Sequence, residues 1–150
     1  SIKVVPHVVA EPSLGVDRTF LVFLFDAYEY DKKRENVVLH LNPKLAPIKV
    51  AVFPLLSNKE ELVAAARKIY DELRQEFICF WDESCSIGRR YARMDEAGTP
   101  YCITVDFDSL IKHDVTIRDR DTTQQKRVKI KDLPNTLWQL LSGKTSFDKL

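Results

Sequence analysis

Glycine is scarce in this chain: 150 residues hold only Gly15, Gly88, Gly98 and Gly143. None of them builds a G-x-G-x-x-G turn or a Walker loop, so the usual backbone cradle for phosphate is missing. Cysteine is scarce too. Cys79, Cys85 and Cys102 are odd in number and lack paired spacing, which excludes a disulfide framework and a cysteine zinc set. Cys79 and Cys102 sit in apolar runs and read as reduced core thiols of a cytoplasmic protein. His7, His40 and His113 are scattered without ligand spacing, so no metal is expected. A nucleophile–base pair of Cys85 and His113 finds no support in spacing, and Asp106 with Asp108 reads as turn chemistry. The longest apolar run, residues 20–25, falls far short of a membrane span. The N-terminus lacks the basic-then-apolar layout of a signal peptide. Net charge of one sign is also lacking, at a formal +1.

What is present is a 45% hydrophobic fraction, enough for a real core, and a polarised charge distribution. Residues 1–46 carry six cations and six anions, whereas residues 86–131 carry ten and seven. The positive excess is late and local, which favours a binding face over a general polycation.

Residues 4–10 are apolar and β-branched and predict a strand. Residues 15–30 predict a helix that is apolar nearly all round, which calls for burial on every side. That greasy helix is expected to be covered by a second chain or by refolding of residues 1–46 onto the sheet. Residues 37–41 predict a second strand, and two prolines in residues 42–47 mark a linker. Strands and helices then alternate. Strands are expected over residues 48–55, 78–81, 100–107, 115–121 and 124–130. Helices are expected after Asn58 as N-cap, over the arginine-rich stretch ending at Gly98, and from Pro134 to Gly143. The fold class is α/β: a mixed five-stranded sheet with three helices, preceded by a strand–helix–strand unit.

Two basic elements stand out. Arg89, Arg90 and Arg93 fall within about a 100° arc of one helix, hence on a common face. In the late hairpin, alternation puts Thr116, Arg118 and Arg120 on one face with Arg127, Lys129 and Lys131. A solvated edge whose charges deter strand pairing accounts for that face, and so does a polyanion site. The second basic element favours the latter. Phe80 and Trp81 are adjacent strand residues facing opposite ways. Both fit a core, and one of them exposed beside the cations could stack on an unpaired base.

Four blocks carry a family likeness: residues 5–18, with Glu-Pro-Ser at 11–13 followed by Gly15 and Arg18; residues 45–55; residues 86–107, opening on Ser-Ile-Gly-Arg-Arg-Tyr-Ala-Arg; and residues 116–121, with Arg-Asp-Arg-Asp. The chain resembles the C-terminal part of glycyl-tRNA synthetase, a class II enzyme, of the archaeal and eukaryotic type. Glu-Pro-Ser with Gly-x-x-Arg is similar to motif 3 of the class II catalytic domain. The later blocks are similar to the anticodon-binding domain shared by the glycyl, threonyl, prolyl and histidyl enzymes. The resemblance implies that residues 1–46 end the catalytic domain and that residues 47–150 form a three-layer anticodon-binding domain. It implies that Arg18 clamps an ATP phosphate, and that Glu11 and Ser13 line the glycine pocket. Arg89, Arg90, Arg93, Arg118, Arg120 and Arg127 are the expected tRNA contacts, with Arg118 and Arg120 on base edges. The parent would use ATP with Mg2+, attach glycine to its tRNA and act as a homodimer in the cytoplasm. Nothing resembles motifs 1 and 2, so this chain alone is expected to make no adenylate. A stand-alone accessory tRNA-binding protein, the matching domain of a threonyl, prolyl or histidyl enzyme, and an unrelated nucleotide-using α/β enzyme are the alternatives.

Overall fold

A computed structural model describes residues 2–5, 7 and 10–150. Helix α1 (Val16–Ala27) leads into a two-stranded antiparallel hairpin, β1 (Tyr28–Asp31) and β2 (Asn36–Leu39). The helix thus ends three residues short of Tyr30, the expected limit, because Tyr28 and Tyr30 pair with Leu39 and Val37 instead. Asp31 closes the turn: its Oδ1 accepts from the backbone N–H groups of Lys33 at 2.8 Å and Arg34 at 3.2 Å. The strand expected over residues 4–10 is not formed at Val4, Val5, His7 or Ala10, and its other positions lie outside the described residues.

A five-stranded sheet follows in the order β4-β3-β5-β6-β7. Its strands are β3 (Val50–Pro54), β4 (Cys79–Trp81), β5 (Tyr101–Val105), β6 (Asp114–Asp119) and β7 (Gln125–Lys129). β3 pairs in parallel with β4 and β5, whereas β5–β6 and β6–β7 are antiparallel, as the late hairpin predicts. β3 and β5 are buried at every position, which is why their sequences read as continuous apolar runs rather than alternating ones.

Helices cover both faces. α2 (Glu60–Leu73) buries Leu62, Ala66, Ile69 and Leu73 at helical spacing. Of these, Ala66, Ile69 and Leu73 join Leu133, Leu137, Leu140 and Leu141 of α5 (Leu133–Ser142) and Val50, Val52, Ile103, Val105 and Ile117 in the main core. Each of the leucine, isoleucine and valine side chains, fully buried, stabilises by about 1.5–3 kcal/mol. α3 (Ile87–Ala97) covers the opposite face, packing Met94 against Ala51, Phe53 and Cys102. The result is three layers. α3 ends where the sequence says, at Gly98 with φ 74°. That glycine is required twice over, because a Cβ there would sit 2.8 Å from Leu41 Cδ1 and 3.2 Å from the Leu39 carbonyl oxygen.

Two local expectations are corrected. Asn58 does not cap α2: the N-cap position is Lys59, without a side-chain bond. A fourth helix in this part of the chain, α4 (Phe107–Lys112), follows β5 directly. Asp106 caps it in a reciprocal pair with Ser109, so the carboxylate read as turn chemistry is a helix cap. The greasy helix does not refold onto the sheet. In α1 only Ala27 is buried, while Phe20 and Phe25 are 64% and 74% exposed. No described helix is long and apolar enough to cross a membrane.

Candidate nucleic-acid interface

β3, β4 and β5 run parallel, so their carboxyl ends share one end of the sheet. α2 packs on one face of the sheet and α3 on the other, so the chain leaves the ends of β3 and β4 toward opposite faces. The arginine helix starts there.

Its three arginines do not share one environment. Ile87, Arg90, Tyr91 and Met94 lie at i, i+3, i+4 and i+7, and this stripe faces the sheet. Arg90 is therefore inside, 2% exposed. Its guanidinium donates to the Pro54 carbonyl at 2.5 Å and the Cys85 carbonyl at 3.0 Å, tying the end of β3 to the loop after β4. Burial depresses the pKa of Arg90, with nearby charges secondary. Arg93, at the helix flank, pairs with Asp82 and donates to the Ser84 carbonyl at 3.0 Å. Burial works against the Asp82 carboxylate, yet bonds from Ser84 and Arg93 outweigh it and hold the pKa below the ordinary value. Arg89 points outward and has no hydrogen bond or ion pair among the described residues. A 100° arc is wide enough to straddle the edge of a packed helix, so a shared arc is not a shared solvent face.

The hairpin arginines behave likewise. β6 and β7 pair Thr116 with Arg127 and Asp114 with Lys129, as alternation requires. The face carrying Arg118 is, however, covered by α3. Arg118 is 7% exposed and forks onto Asp95, at 2.7 and 2.9 Å. Its guanidinium also lies 4.7 Å from the centre of the Tyr91 ring. Burial opposes the Arg118 charge, but Asp95 more than compensates and raises its pKa. Arg120 lies just beyond β6 and is 2% exposed. It donates to the Gly98 carbonyl at 2.7 Å and the Leu41 carbonyl at 2.9 Å. Arg127 joins Asp106 to Asp114, and the Asp106 bonds foremost raise its pKa. The expected open ribbon of cations is thus largely an internal network.

That network extends to the first hairpin. Arg34 donates to Asp95 at 3.3 Å, to the Arg120 carbonyl at 2.7 Å and to the Asp121 carbonyl at 2.8 Å. Asn36 donates to the Ala92 carbonyl at 3.1 Å, and His40 Nδ1 lies 2.7 Å from Asp121. The hairpin therefore clamps the outer side of α3.

Cations remaining at the surface include Arg89 and several lysines. Phe80, on edge strand β4, is 38% exposed, so the two aromatics are not both core. Trp81 is covered by Arg67, whose guanidinium sits 4.2 Å from its ring centre. Cys79 is half-buried, its thiol pushed up to about 11 by burial, and Cys102 is buried, its thiol raised further. Both are inert packing groups. Among the described residues no cluster of His, Cys, Asp and Glu could hold a metal.

A family model described as an anticodon binding domain matches residues 49–140, the span from β3 through most of α5. The chain belongs to the anticodon-binding domain family. It is 49% identical over 150 residues to a glycine–tRNA ligase of Rhodopirellula baltica, covering 95% of this chain and 28% of that protein. It is 51% identical over 141 residues to one of Caldanaerobacter subterraneus, covering 93% and 30%. With one of Borrelia garinii it shares 45% over 151 residues, covering 98% and 34%. The chain thus spans about a third or less of the length of these relatives.

Asp82 and Asp95 within the anticodon-binding domain, and Arg34 in the hairpin turn before it, went unread in the sequence, although they position the arginines. The Ile87–Tyr91–Met94 stripe was the available signal: Arg90 and Asp95 flank it. Glu11, Ser13 and Arg18 are exposed, on the extended segment before α1 and on α1 itself.

Proposed function

We propose that this chain holds the anticodon stem-loop of a glycine tRNA, as the recognition part of a glycine–tRNA ligase. One observation carries this reading beyond the family: at the carboxyl end of the sheet, Arg89 presents an unpaired guanidinium beside a rigidly clamped loop. A free surface cation on α3, with an exposed aromatic, Phe80, on the edge strand that leads into it, suits phosphates and splayed bases. Arg89, together with the exposed parts of Arg93 and Arg127, would meet the RNA. Arg90, Arg118 and Arg120 would act as positioning residues that hold the contact surface in shape.

The parent would make glycyl-adenylate and pass glycine to tRNA as a cytoplasmic homodimer. It would be the type named by the resemblance, extended to the bacterial relatives. Residues 1–46 would be the end of its catalytic domain. For ATP with Mg2+ the described residues do not fit: Glu11, Ser13 and Arg18 lie open to solvent without buried walls around them. No adenylation step is assigned to this chain. Roles for Arg18 on ATP phosphate, and for Glu11 and Ser13 around glycine, would belong to the assembled enzyme.

Titration of the 150-residue chain with glycine tRNA at two salt concentrations tests the reading. Binding that weakens steeply with salt and on anticodon substitution is expected. Binding indifferent to the anticodon refutes it, and adenylate formed by the chain alone refutes the division of labour.

A further inference from the structure

A cavity of about 730 Å³ lies between α2, α4 and the end of β7, on the face opposite α3. That volume is in the usual range for ligand sites, about 300–1,000 Å³. Its floor is apolar, formed by Ile69, Val105, Leu110 and Ile130. Its rim is cationic: Lys68, Lys112, Lys129 and Lys131 line it, against the single carboxylate of Glu72. Two of these lysines are engaged. Lys112 pairs with Asp108 at 3.1 Å, and Lys129 donates to the Lys112 carbonyl at 2.8 Å. Lys68 and Lys131 have no acidic partner among the described residues.

Sheet register fixes where this cavity opens. β6 runs antiparallel to β5, so Asp114, its paired Lys129 and the α4 segment lie at the carboxyl end of β5. Arg89 lies at the carboxyl end of β4, the same end of the sheet. The cavity and the start of α3 thus lie at one end of the sheet, on opposite faces.

We infer that this cavity takes an unstacked nucleotide of the bound tRNA, its base on the apolar floor and its flanking phosphates between Lys68 and Lys131. A base brings flat apolar faces and a phosphate on either side, which matches a greasy floor inside a ring of lysines. The inference rests on the tRNA-binding reading above and adds a second contact region to it.

The test compares tRNA binding by the wild-type chain, R89A, the double variant K68A/K131A, A65L and the control K144A. Lys68 and Lys131 are exposed, so K68A/K131A leaves the fold intact. It is expected to weaken binding and to lower the log–log salt slope by about 1.4, from two contacts at about 0.7 each. A65L narrows the cavity without changing charge and is expected to weaken binding at an unchanged slope; K144A is expected to do neither. Photocrosslinking of the wild-type chain to tRNA carrying 4-thiouridine in its loop is expected to label α4 or β7. Labelling confined to α3, or K68A/K131A within twofold of wild type while R89A weakens binding, overturns the inference and leaves the anticodon reading standing. A lost slope with A65L folded and at full affinity reduces the lysines to a surface patch and also overturns it. A wild-type chain that does not bind tRNA removes both.

Discussion

Asp95 decides whether Arg118 is a structural cation or a reader of RNA. The Asp95→Ala chain loses both charge-assisted bonds to Arg118, at 2.7 and 2.9 Å, and the 3.3 Å bond from Arg34. The two arginines are not left alike. Arg34 keeps Asp31 and two backbone carbonyls, so it loses one bond of several. Arg118 has no other acidic partner among the described residues, and its side chain is 8% exposed. Stranding a buried charge costs about 3–5 kcal/mol. For a chain of this length that lowers Tm by roughly 6–20 °C, at 2–4 °C per kcal/mol. Urea denaturation and calorimetry read it directly. The companion D95L/R118M replaces both charges with apolar groups of similar reach and is expected to recover most of the loss, since the pair's net worth is small against a packed isostere. Two results refute the reasoning. A loss under about 1 kcal/mol in D95A means that Arg118 finds solvent or another partner easily. A well-folded D95L/R118M that no longer binds tRNA means that Arg118 touches the RNA after all.

Arg89→Ala should change stability by no more than about 0.5 kcal/mol, yet weaken tRNA binding and reduce the salt slope by about 0.7–0.9; a full-strength R89A complex removes Arg89 from the interface. Gly98→Ala should destabilise by at least about 1–2 kcal/mol, because φ 74° disfavours a side chain and the Cβ would meet Leu41 and the Leu39 carbonyl; an unchanged urea midpoint would show that the hairpin is not clamped there. Asp82, Asp106 and Asp114 all have folded pKa values below the ordinary carboxylate range. A lowered folded pKa contributes stability above the unfolded value of about 3.9, and that stability is lost as pH falls through the folded one. The urea midpoint should therefore hold between pH 7 and about 5 and drop below about 4, with a shallower drop in R127A. With Phe20 and Phe25 bare, the chain should self-associate in solution; sedimentation of F20E/F25E as a smaller species checks this, and a monomeric wild type refutes it.

Much of the architecture was legible because burial imposes a period. Leu62, Ala66, Ile69 and Leu73 announced α2, and the unbroken apolar runs of β3 and β5 announced central strands. Gly98 and Gly143 marked helix ends through the left-handed conformation that each adopts. α4 was missed because six residues give too few turns for a period, and its signal was the Asp106–Ser109 cap. The start of β1 was missed because Tyr28 and Tyr30 continue the greasy helix in composition, and pairing with β2 decided between the two.

What the sequence determined by itself was the alternating order of strands and helices, the family likeness and the location of the cations along the chain. Those properties are local, set by spacing and residue chemistry. Which cations face water was decided only by the tertiary structure. Alternation says that Arg118 shares a face with Thr116, but not that α3 covers it and brings Asp95 within 2.7 Å. Spacing puts Arg89 and Arg90 on one helix, while the docking of Ile87, Tyr91 and Met94 on the sheet turns one guanidinium out and the other in. A charge is a property of a residue. Its availability to a partner depends on what the rest of the chain packs against it.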